Sequence, residues 1–411
     1  MTGGRHPFGD GLRAAARAMG VTRVARLTGL DRTAVEVASA VRPEGHVLQV
    51  TNGKGLRFED AARGALLEAA ELHAAERPAC EAFGSAAELA GRPGGVLSPR
   101  DLEPAAGDAS WDGIRLAWRA GVDLASGAPV LVPAHAVHVP PPGGASLGPA
   151  LVRWTSNGMG AAPVADDALL HALLEAVERD RLARALPEGF TEGEVARRMI
   201  EPRSLTGAAP GAAALAARLE ERGFRVYLFD VTDEIGPAAR RTSTSTPTST
   251  PTSTSTPTST RTSASTPTRP PAARLGIPCA AAVLVDHAHG PVPVAAGYAC
   301  RLRRDAALVA ALLEAAQSRA TEIHGAREDV VLADRRQAVA LAELCARVPS
   351  RRPAATLPDV SARGARAGVA AVLARLRRAG FDRAVAVHLE GPPGVAVVKV
   401  LVPGLLLSEL L

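Results

Sequence analysis

Apolar positions along the chain follow two different spacings. Three long windows rich in Ala, Leu and Glu have apolar residues three or four apart, which predicts helices over 58–76, 166–185 and 306–320. Shorter windows predict helices after the capping-box pattern of Thr191 and Glu194, and over 334–347 and 364–379. Runs rich in Val and Ala predict strands over 127–139, 225–231, 280–286, 384–389 and 396–402. This irregular alternation predicts an α/β fold of the mixed α+β kind.

The composition changes abruptly in the middle of the chain. The stretch TSTSTPTSTPTSTSTPTST, at 242–260, repeats Ser, Thr and Pro and offers no apolar side chain to bury. Such a segment cannot repay the conformational entropy that ordering would remove. We therefore predict a single domain over 1–411 that contains a disordered insertion over 238–272, since strand-like sequence resumes at 280.

Charge and cysteine usage exclude several classes of protein. The net charge is +5, but the arginines are dispersed and aromatic residues make up only 3%, so no nucleic-acid partner is expected. No apolar run approaches the roughly 20 residues of a membrane span, and the N-terminus has no signal-peptide core. The four cysteines form no C-x-x-C pair. Free thiols in a reducing compartment, and hence a cytoplasmic protein, are expected.

One helical turn is written three times in the sequence. The copies are ALLEAAE at 65–71, ALLEAVE at 172–178 and ALLEAAQ at 311–317. Positions i and i+3 share a helix face, which pairs Glu68 with Glu71, Glu175 with Glu178, and Glu314 with Gln317. Carboxylates among apolar residues need a positive partner, and Mg²⁺ in nucleotide sites takes one or two carboxylates plus phosphate oxygens. Two such helices facing each other would clamp Mg²⁺ across a triphosphate, whereas solvated helix faces are the alternative interpretation.

Each copy has polar neighbours that suit phosphate. The first follows NGKG, where Lys54 lies between glycines just before a helix, a possible phosphate cradle that is not a P-loop. The second follows the loop RWTSNGMGAAP at 153–163, which contains Asn157. The third continues into QSRATEIHGARED, which contains Arg319 and Arg327. Arginines near carboxylate-bound Mg²⁺ are suited to binding phosphate.

Together these blocks resemble the three signature blocks of the YcaO superfamily, in the same order: TNGKGLRFEDAARGALLEAAE, TSNGMGAAPVADDALLHALLEAVERD and ALLEAAQSRATEIHGARED. The similarity extends to connecting segments and to VVKVLVPGL near the end. It implies a YcaO-like ATP-binding fold with mixed sheets and packed helices. It also implies an ATP- and Mg²⁺-dependent enzyme that phosphorylates the oxygen of a backbone amide in a peptide or protein. A Cys, Ser or Thr side chain then gives an azoline, and an external sulfur donor gives a thioamide.

The resemblance carries over residue by residue. Metal-binding glutamates of the family match Glu68, Glu71, Glu175 and Glu178, and Asp167 is a further candidate metal ligand. The residues that match nucleotide-binding positions are Lys54, Asn157, Arg179, Arg327, Glu314 and Gln317. His73 and His171 flank the proposed metal face and are expected to be packed or solvated. No catalytic residue is assigned.

Departures from the family pattern bear on the product. Leu72 followed by HAAE replaces a common Glu-Arg, which is similar to the subgroup found with TfuA-type partners and associated with thioamides. Pro163 stands where Asn is common, and the tail lacks Pro-x-Pro-x-Pro. We expect thioamide formation with a TfuA-like partner, with azoline formation or a catalytically inactive, peptide-binding scaffold as alternatives. The resemblance also implies a homodimer.

Overall fold

A computed structural model of the protein describes residues 10–103, 109–233, 274–288, 290–329 and 335–407. The strands are β1 (Arg23–Arg26), β2 (Glu36–Val41), β3 (Val50–Gly55), β4 (Ala82–Gly84), β5 (Leu116–Asp123), β6 (Pro129–Pro133), β7 (Met159–Ala162), β8 (Phe224–Asp230), β9 (Cys279–Asp286), β10 (Val294–Cys300), β11 (Val385–Leu389) and β12 (Ala396–Leu401). The helices are α1 (Asp10–Ala18), α2 (Phe58–Ala75), α3 (Ala86–Leu89), α4 (Pro99–Leu102), α5 (Ala165–Ala185), α6 (Glu192–Arg198), α7 (Leu205–Ala208), α8 (Pro210–Glu221), α9 (Arg304–His324), α10 (Arg335–Arg347) and α11 (Ala365–Arg378). The stretch 238–272 lies outside the described residues, so the insertion and the single domain stay predictions.

The described strands form three sheets. Two have three strands each, in the orders β1-β2-β3 and β10-β9-β8. The third has six strands, ordered β4-β5-β11-β12-β7 with β6 also paired to β5. All pairings between these strands are antiparallel, and parallel pairing occurs in isolated bridges such as Val96 with Leu131. The predicted α/β class is confirmed.

The three helices with the repeated turn occupy equivalent places in these sheets. Each of α2, α5 and α9 directly follows a strand at the end of its sheet, namely β3, β7 and β10. The connections have two or three residues: 56–57, 163–164 and 301–303. Because these connections are so short, each helix packs against the strand that precedes it. The fold therefore contains three strand–helix units built in the same way.

Glycine places each of these strands directly on the backbone of its helix. A Cβ on Gly53 would lie 2.0 Å from the Ala61 carbonyl oxygen and 2.3 Å from the Ala65 nitrogen, so only glycine fits there. The other two units repeat this crossing, with Gly160 against Ala168 and Ala172, and Gly297 against Ala311 and Ala315. The crossing fixes how far along each helix the strand passes.

The crossings also show that the repeated motif of the third helix is displaced by one helical turn relative to the strand that it crosses. In α2 and α5 the glycine meets the first alanine of the repeated turn and the alanine four residues before it. In α9 it meets the first alanine and the alanine four residues after it. Measured from the crossing, the places of the glutamates in α2 and α5 are taken in α9 by Ser318 and Thr321. Glu314 lies one turn, about 6 Å along the axis, nearer the start of its helix.

The structure differs from the sequence interpretation in two segments. NGKG, predicted as a phosphate cradle, lies in a strand, whereas the predicted loop over 153–163 is a strand only at Met159–Ala162 and has neither helix nor strand over 153–158. Lys54 lies in β3 in register with Val37 of β2, so its backbone is part of a sheet rather than a cradle. Of the predicted loop over 153–163, the residues of β7 pair with β12. In both segments the glycine serves the close approach to a helix. Composition alone does not distinguish that use from a turn.

The cores lie between the sheets and the helices and consist mainly of Ala, Val and Leu, as the scarcity of aromatic residues requires. One core joins α5 to β9, β10 and α11, another joins α8 and α9 to β8 and β9, and a third joins α2 to β11 and β12. In the part of the chain that the structure describes, no helix is both long and apolar enough to cross a membrane.

Candidate functional site

The three repeated turns meet in one cleft, although they are far apart in sequence. Burial raises the pKa of Glu71 well above its usual value, and the charges of Glu175 and Glu68 raise it further. Burial likewise raises the pKa of Glu178, and the carboxylate of Glu314 adds to that effect. These mutual effects require the five carboxylates to be close neighbours. They form a row that leads from α2 through α5 to α9.

A glutamate from each helix contacts the strand of the next unit. Glu71 lies near the Ala161 N–H in β7, which favours its charged form, Glu178 Oε2 accepts a hydrogen bond from the Cys300 N–H in β10 at 2.8 Å, and Glu314 Oε2 binds Lys54 Nζ in β3 at 2.6 Å. The contacts thus lead from the first unit to the second, from the second to the third, and from the third to the first. We call this arrangement the glutamate ring. It holds the three units around the cleft.

Glu175 lies in the middle of the row, where negative charge is least compensated. Burial raises its pKa to about 8, and Glu178 and Glu314 raise it too, against the opposing effects of Arg179 and Lys399. The Arg179 guanidinium is 3.9 Å from the Glu175 carboxylate, too far for a tight pair. The stretch around Glu71 and Glu175 therefore has more negative charge than its protein neighbours neutralise. Such a stretch is suited to a divalent cation.

Glu314 has the opposite electrostatic environment. Burial would raise its pKa, but Lys54, with Arg179 and Arg301, holds the pKa below its usual value. The pair of Lys54 and Glu314 keeps about a quarter of each side chain exposed, so it faces the open part of the cleft. Three cations thus gather around one carboxylate at this end. The cleft is acidic in its middle and basic at the α9 end.

Arg327 closes the other end of the row. Its guanidinium lies 3.5 Å from Glu68 Oε1, while Glu68 Oε2 accepts a hydrogen bond from the Asn52 N–H at 2.8 Å. Arg319, the other arginine of the third block, is turned away from the cleft. It is buried and pairs with Asp31 at 3.0 Å and Asp286 at 2.9 Å. Of these two arginines, only Arg327 lies beside a glutamate of the row, and it also pairs with Asp329 at 2.8 Å.

Comparison with known families identifies the family to which this chain belongs. The sequence model of a family described as YcaO cyclodehydratase, ATP- and Mg²⁺-binding, matches residues 52–255 and 271–406. The chain belongs to the YcaO family. The predicted cofactors, ATP and Mg²⁺, are those for which the family is described.

Relatives of this YcaO chain span much or part of its length. An uncharacterized protein of Methanothermobacter thermautotrophicus is 30% identical, with 97% of this chain and 92% of that protein covered. A protein of Rhizobium leguminosarum bv. trifolii, named as lying in the tfuA 3' region, is 31% identical over 55% of this chain and 52% of its own length.

Solved structures share the YcaO fold. The YcaO protein of Methanopyrus kandleri, bound with AMPPCP and Mg²⁺, superposes with a TM-score of 0.65 at 21% identity, covering 96% of this chain and 88% of that one. A heterocyclase in complex with substrate and cofactor gives a TM-score of 0.66 at 18% identity, covering 96% of this chain and 52% of its own. The present chain thus spans about half of that heterocyclase.

The structure brings most of the predicted site residues of this YcaO chain together and leaves Asp167 apart from them. The four metal-binding candidates on α2 and α5, together with Lys54, Arg179, Arg327 and Glu314, gather in the cleft. Asp167 is exposed in the first turn of α5, eight residues and about 12 Å before Glu175 along the helix. Gln317 is half-buried on α9. Roles for Asp167 and Gln317 in binding stay predictions.

Two cleft residues, Lys399 and Arg301, escaped the sequence analysis. Lys399 on β12 is 2% exposed and lies near Glu71 and Glu175. Its sequence signal is a single cation inside the apolar run AVVKVLV. Arg301 lies in the β10–α9 connection, and its charge favours the ionised forms of Glu178 and Glu314. Nothing in the sequence RLRR distinguishes it from its neighbours. His171, expected to be packed or solvated, is exposed on α5.

The residues of the cleft fit Mg²⁺ in the company of phosphate. Within residues 10–103, 109–233, 274–288, 290–329 and 335–407, no group of three or more His, Cys, Asp or Glu side chains can hold a metal ion alone. Mg²⁺ in nucleotide sites commonly has only one or two carboxylates and completes its shell with phosphate and water. Asn157 Oδ1 is a buried acceptor without a hydrogen-bond partner in the described structure. Uncompensated carboxylates and this free acceptor are what such a ligand would satisfy.

Proposed function

We propose that this YcaO protein activates a backbone amide of a peptide or protein by O-phosphorylation, using ATP and Mg²⁺ bound in the cleft, most directly toward a thioamide. One observation carries the proposal: five glutamates from three helices form a row whose middle has more negative than positive charge and whose α9 end is basic. A divalent cation suits the middle and a phosphate chain suits the end.

Each group in the cleft has a defined part in this proposal. The glutamates of α2 and α5 would hold Mg²⁺, and the cations at the α9 end, Lys54, Arg179 and Arg301, would contact phosphate oxygens. ATP supplies the phosphoryl group that turns a poorly leaving amide oxygen into a good leaving group. The protein's own contribution is then positioning and charge stabilisation. Asn157 would donate to or accept from the ligand beside the acidic middle.

The choice of thioamide over azoline has separate support. The relative in the tfuA 3' region and the HAAE sequence after Leu72 favour a TfuA-like partner and an external sulfur donor. The cyclodehydratase description of the family and the heterocyclase neighbour favour azoline formation as the second candidate. A gene for a TfuA-like protein beside the coding sequence would support the first candidate, and one for an E1-like protein the second.

Calorimetric titration of ATP, with and without Mg²⁺, tests the core of the proposal. We expect Mg²⁺-dependent binding that the Glu175→Ala/Glu178→Ala variant loses. Glu192→Ala/Glu201→Ala is the matched control, since it removes two carboxylates that lie outside the row. No binding by the folded wild-type protein would overturn the proposal and favour the inactive scaffold.

Mass spectrometry of a treated peptide distinguishes the two products. Exchange of one oxygen for sulfur marks a thioamide, and loss of one water marks an azoline. The reaction needs ATP, Mg²⁺, sulfide and a TfuA-like protein, each left out in turn. Sedimentation of the purified protein tests the expected homodimer.

A further inference from the structure

Lys399 is a lysine in a place that the fold would normally give to an apolar residue. It lies in the interior of β12, in register with Met159 of β7, and is only 2% exposed. Its neighbours Val398 and Val400 in the same strand are buried in the core. Burying an ammonium group carries a large desolvation penalty, which an apolar side chain of similar size avoids. The position therefore calls for an explanation other than packing.

The contacts of Lys399 point to the loop that contains Asn157. Its Nζ donates hydrogen bonds to the carbonyl oxygens of Thr155 and Asn157, both at 2.6 Å. The ammonium also lies near Glu71 and Glu175, whose charges partly offset its burial. One side chain thus connects the Asn157 loop to glutamates of two different helices.

The loop does not need Lys399 to stay attached to β12. The Val400 N–H already donates to the Gly158 carbonyl oxygen at 2.8 Å. Gly158 has a φ of +74°, and a Cβ there would lie 2.5 Å from the Val400 oxygen, so the backbone is pressed against the strand at this point. Lys399 adds hydrogen bonds to the two carbonyl groups on either side of Ser156. These hydrogen bonds orient the peptide units next to the Asn157 side chain.

We propose that Lys399 is a positioning residue for the nucleotide: it fixes the 155–157 backbone so that the Asn157 amide is presented to the ligand beside Glu71 and Glu175. This role rests on the proposed function, because it presumes that Mg²⁺ and ATP occupy the cleft. Asn157 Oδ1, buried and without a partner among the described residues, is the atom that Lys399 keeps in place.

A double-mutant cycle between Lys399 and Asn157 tests this role. Binding of ATP in the presence of Mg²⁺ is titrated by calorimetry for the wild type, Lys399→Met, Asn157→Ala and the double variant. We expect Lys399→Met to weaken binding by about 10–100-fold, as the loss of groups that orient ligand-binding residues does. In the Asn157→Ala background the same substitution should weaken binding less than about threefold.

The outcomes are distinguishable. Equal losses in both backgrounds, or wild-type affinity of Lys399→Met, would overturn the positioning role while leaving the proposed function intact. No Mg²⁺-dependent binding by the wild type would overturn both. Thermal unfolding of each variant shows whether it is folded, and Lys399→Gln, which keeps an N–H donor group, replaces Lys399→Met if that variant is not. Partial recovery of affinity by Lys399→Gln relative to Lys399→Met is expected, since a merely space-filling role would give no such order.

Discussion

The helices α2 and α5 on one side, and α9 on the other, contain the same turn in opposite electrostatic environments. Burial and neighbouring carboxylates raise the pKa of Glu71 and Glu175, whereas Lys54 and two arginines hold the pKa of Glu314 below its usual value. The carboxylates of the first two helices thus have less counter-charge than Glu314, which Lys54 contacts directly. Nearly identical heptapeptides in one chain thus have different electrostatic environments.

The difference originates in the way each helix sits on its strand. The glycine crossing of α9 falls one turn later in the repeated motif than in α2 and α5. Glu314 therefore meets Lys54 of the first unit, while Thr321 takes the place of a second carboxylate. Thr321 accepts a hydrogen bond from Asn52 Nδ2 at 2.8 Å and donates one to the Gln317 carbonyl oxygen at 2.8 Å. At that position α9 contributes to structure instead of charge.

The largest expected effect separates the two kinds of glutamate. Glu175→Gln should weaken Mg²⁺-dependent ATP binding by at least about 100-fold, because losing even a group behind a metal ligand weakens binding by 10–100-fold. Glu314→Gln should stay within about tenfold of the wild type, since it removes charge that Lys54 already neutralises. Calorimetry on both variants measures this contrast. Equal losses would mean that the third turn binds metal as well.

The glycine crossings should matter equally in all three units, whatever their charge. Gly53→Ala and Gly297→Ala each press a methyl group into helix backbone, and each should lower the free energy of unfolding by about 1–3 kcal/mol or more. Urea titration monitored by circular dichroism gives the values. Gly207→Ala, whose Cβ would meet no atom within 4 Å, is the control. A wild-type stability for Gly297→Ala would contradict the equivalence of the third unit.

The pair of Lys54 and Glu314 allows affinity and stability to be separated. Lys54→Met should weaken ATP binding by roughly tenfold or more, since hydrogen bonds to charged groups contribute about 1.5–3 kcal/mol. The variant should also be less stable, because Glu314 loses its partner. Adding Glu314→Met should restore stability, because it removes the carboxylate that Lys54→Met leaves unpaired. Affinity should stay low. Its recovery would show that Lys54 serves only Glu314.

The pH dependence of stability should reveal the uncompensated carboxylates. Glu175 has a pKa of about 8 in the folded protein and an ordinary value of 4.5. Between these two pH values the folded state therefore binds more protons than the unfolded state. The stability that the protonated Glu175 side chain contributes is lost as pH rises from about 4.5 to about 8. Mg²⁺ with ATP replaces the proton, so the rise in Tm on adding both should be larger near pH 8.5 than near pH 6.

The control for this pH dependence is Glu175→Gln, which cannot titrate at that position. Scanning fluorimetry at the two pH values should give this variant a smaller difference in the rise in Tm. If wild type and variant respond alike, the excess charge lies elsewhere in the cleft.

The smallest effect is expected from removing residues 238–272. Their flanks are joined in the structure, since the Leu275 N–H donates to Asp233 Oδ1 at 3.0 Å and β8 pairs with β9 in full register. Loop-closure entropy changes only slowly with loop length. The deletion should leave ATP affinity unchanged and Tm nearly so. A loss of affinity would mean that the segment contributes to the cleft.

The sequence was sufficient where a pattern had one physical cause. The helix boundaries followed apolar periodicity closely, and the paired glutamates were recognisable because charge on an Ala-Leu face needs a partner. The neighbourhoods of the repeated turns pointed to Lys54 and Arg327, and the resemblance added Arg179 and gave Asn157 a role.

Other features depended on packing between distant segments and were therefore out of reach. NGKG suggested a phosphate cradle, but Gly53 is needed for contact with α2, and Lys54 belongs to a sheet. The one-turn displacement of α9 cannot be seen when the heptapeptides are aligned. Arg301 becomes significant only because β10 places it beside Glu178.

The glutamate ring makes the three units mutually dependent. Each unit places one glutamate against the strand of the next unit and is itself contacted by a glutamate of the preceding unit. A fragment with two units would leave one carboxylate without its donor and the cleft open on one side. The protein should therefore resist dissection: separately expressed halves would regain ATP binding only by reassociating, and removal of any unit would abolish fold and ligand site in one cooperative step.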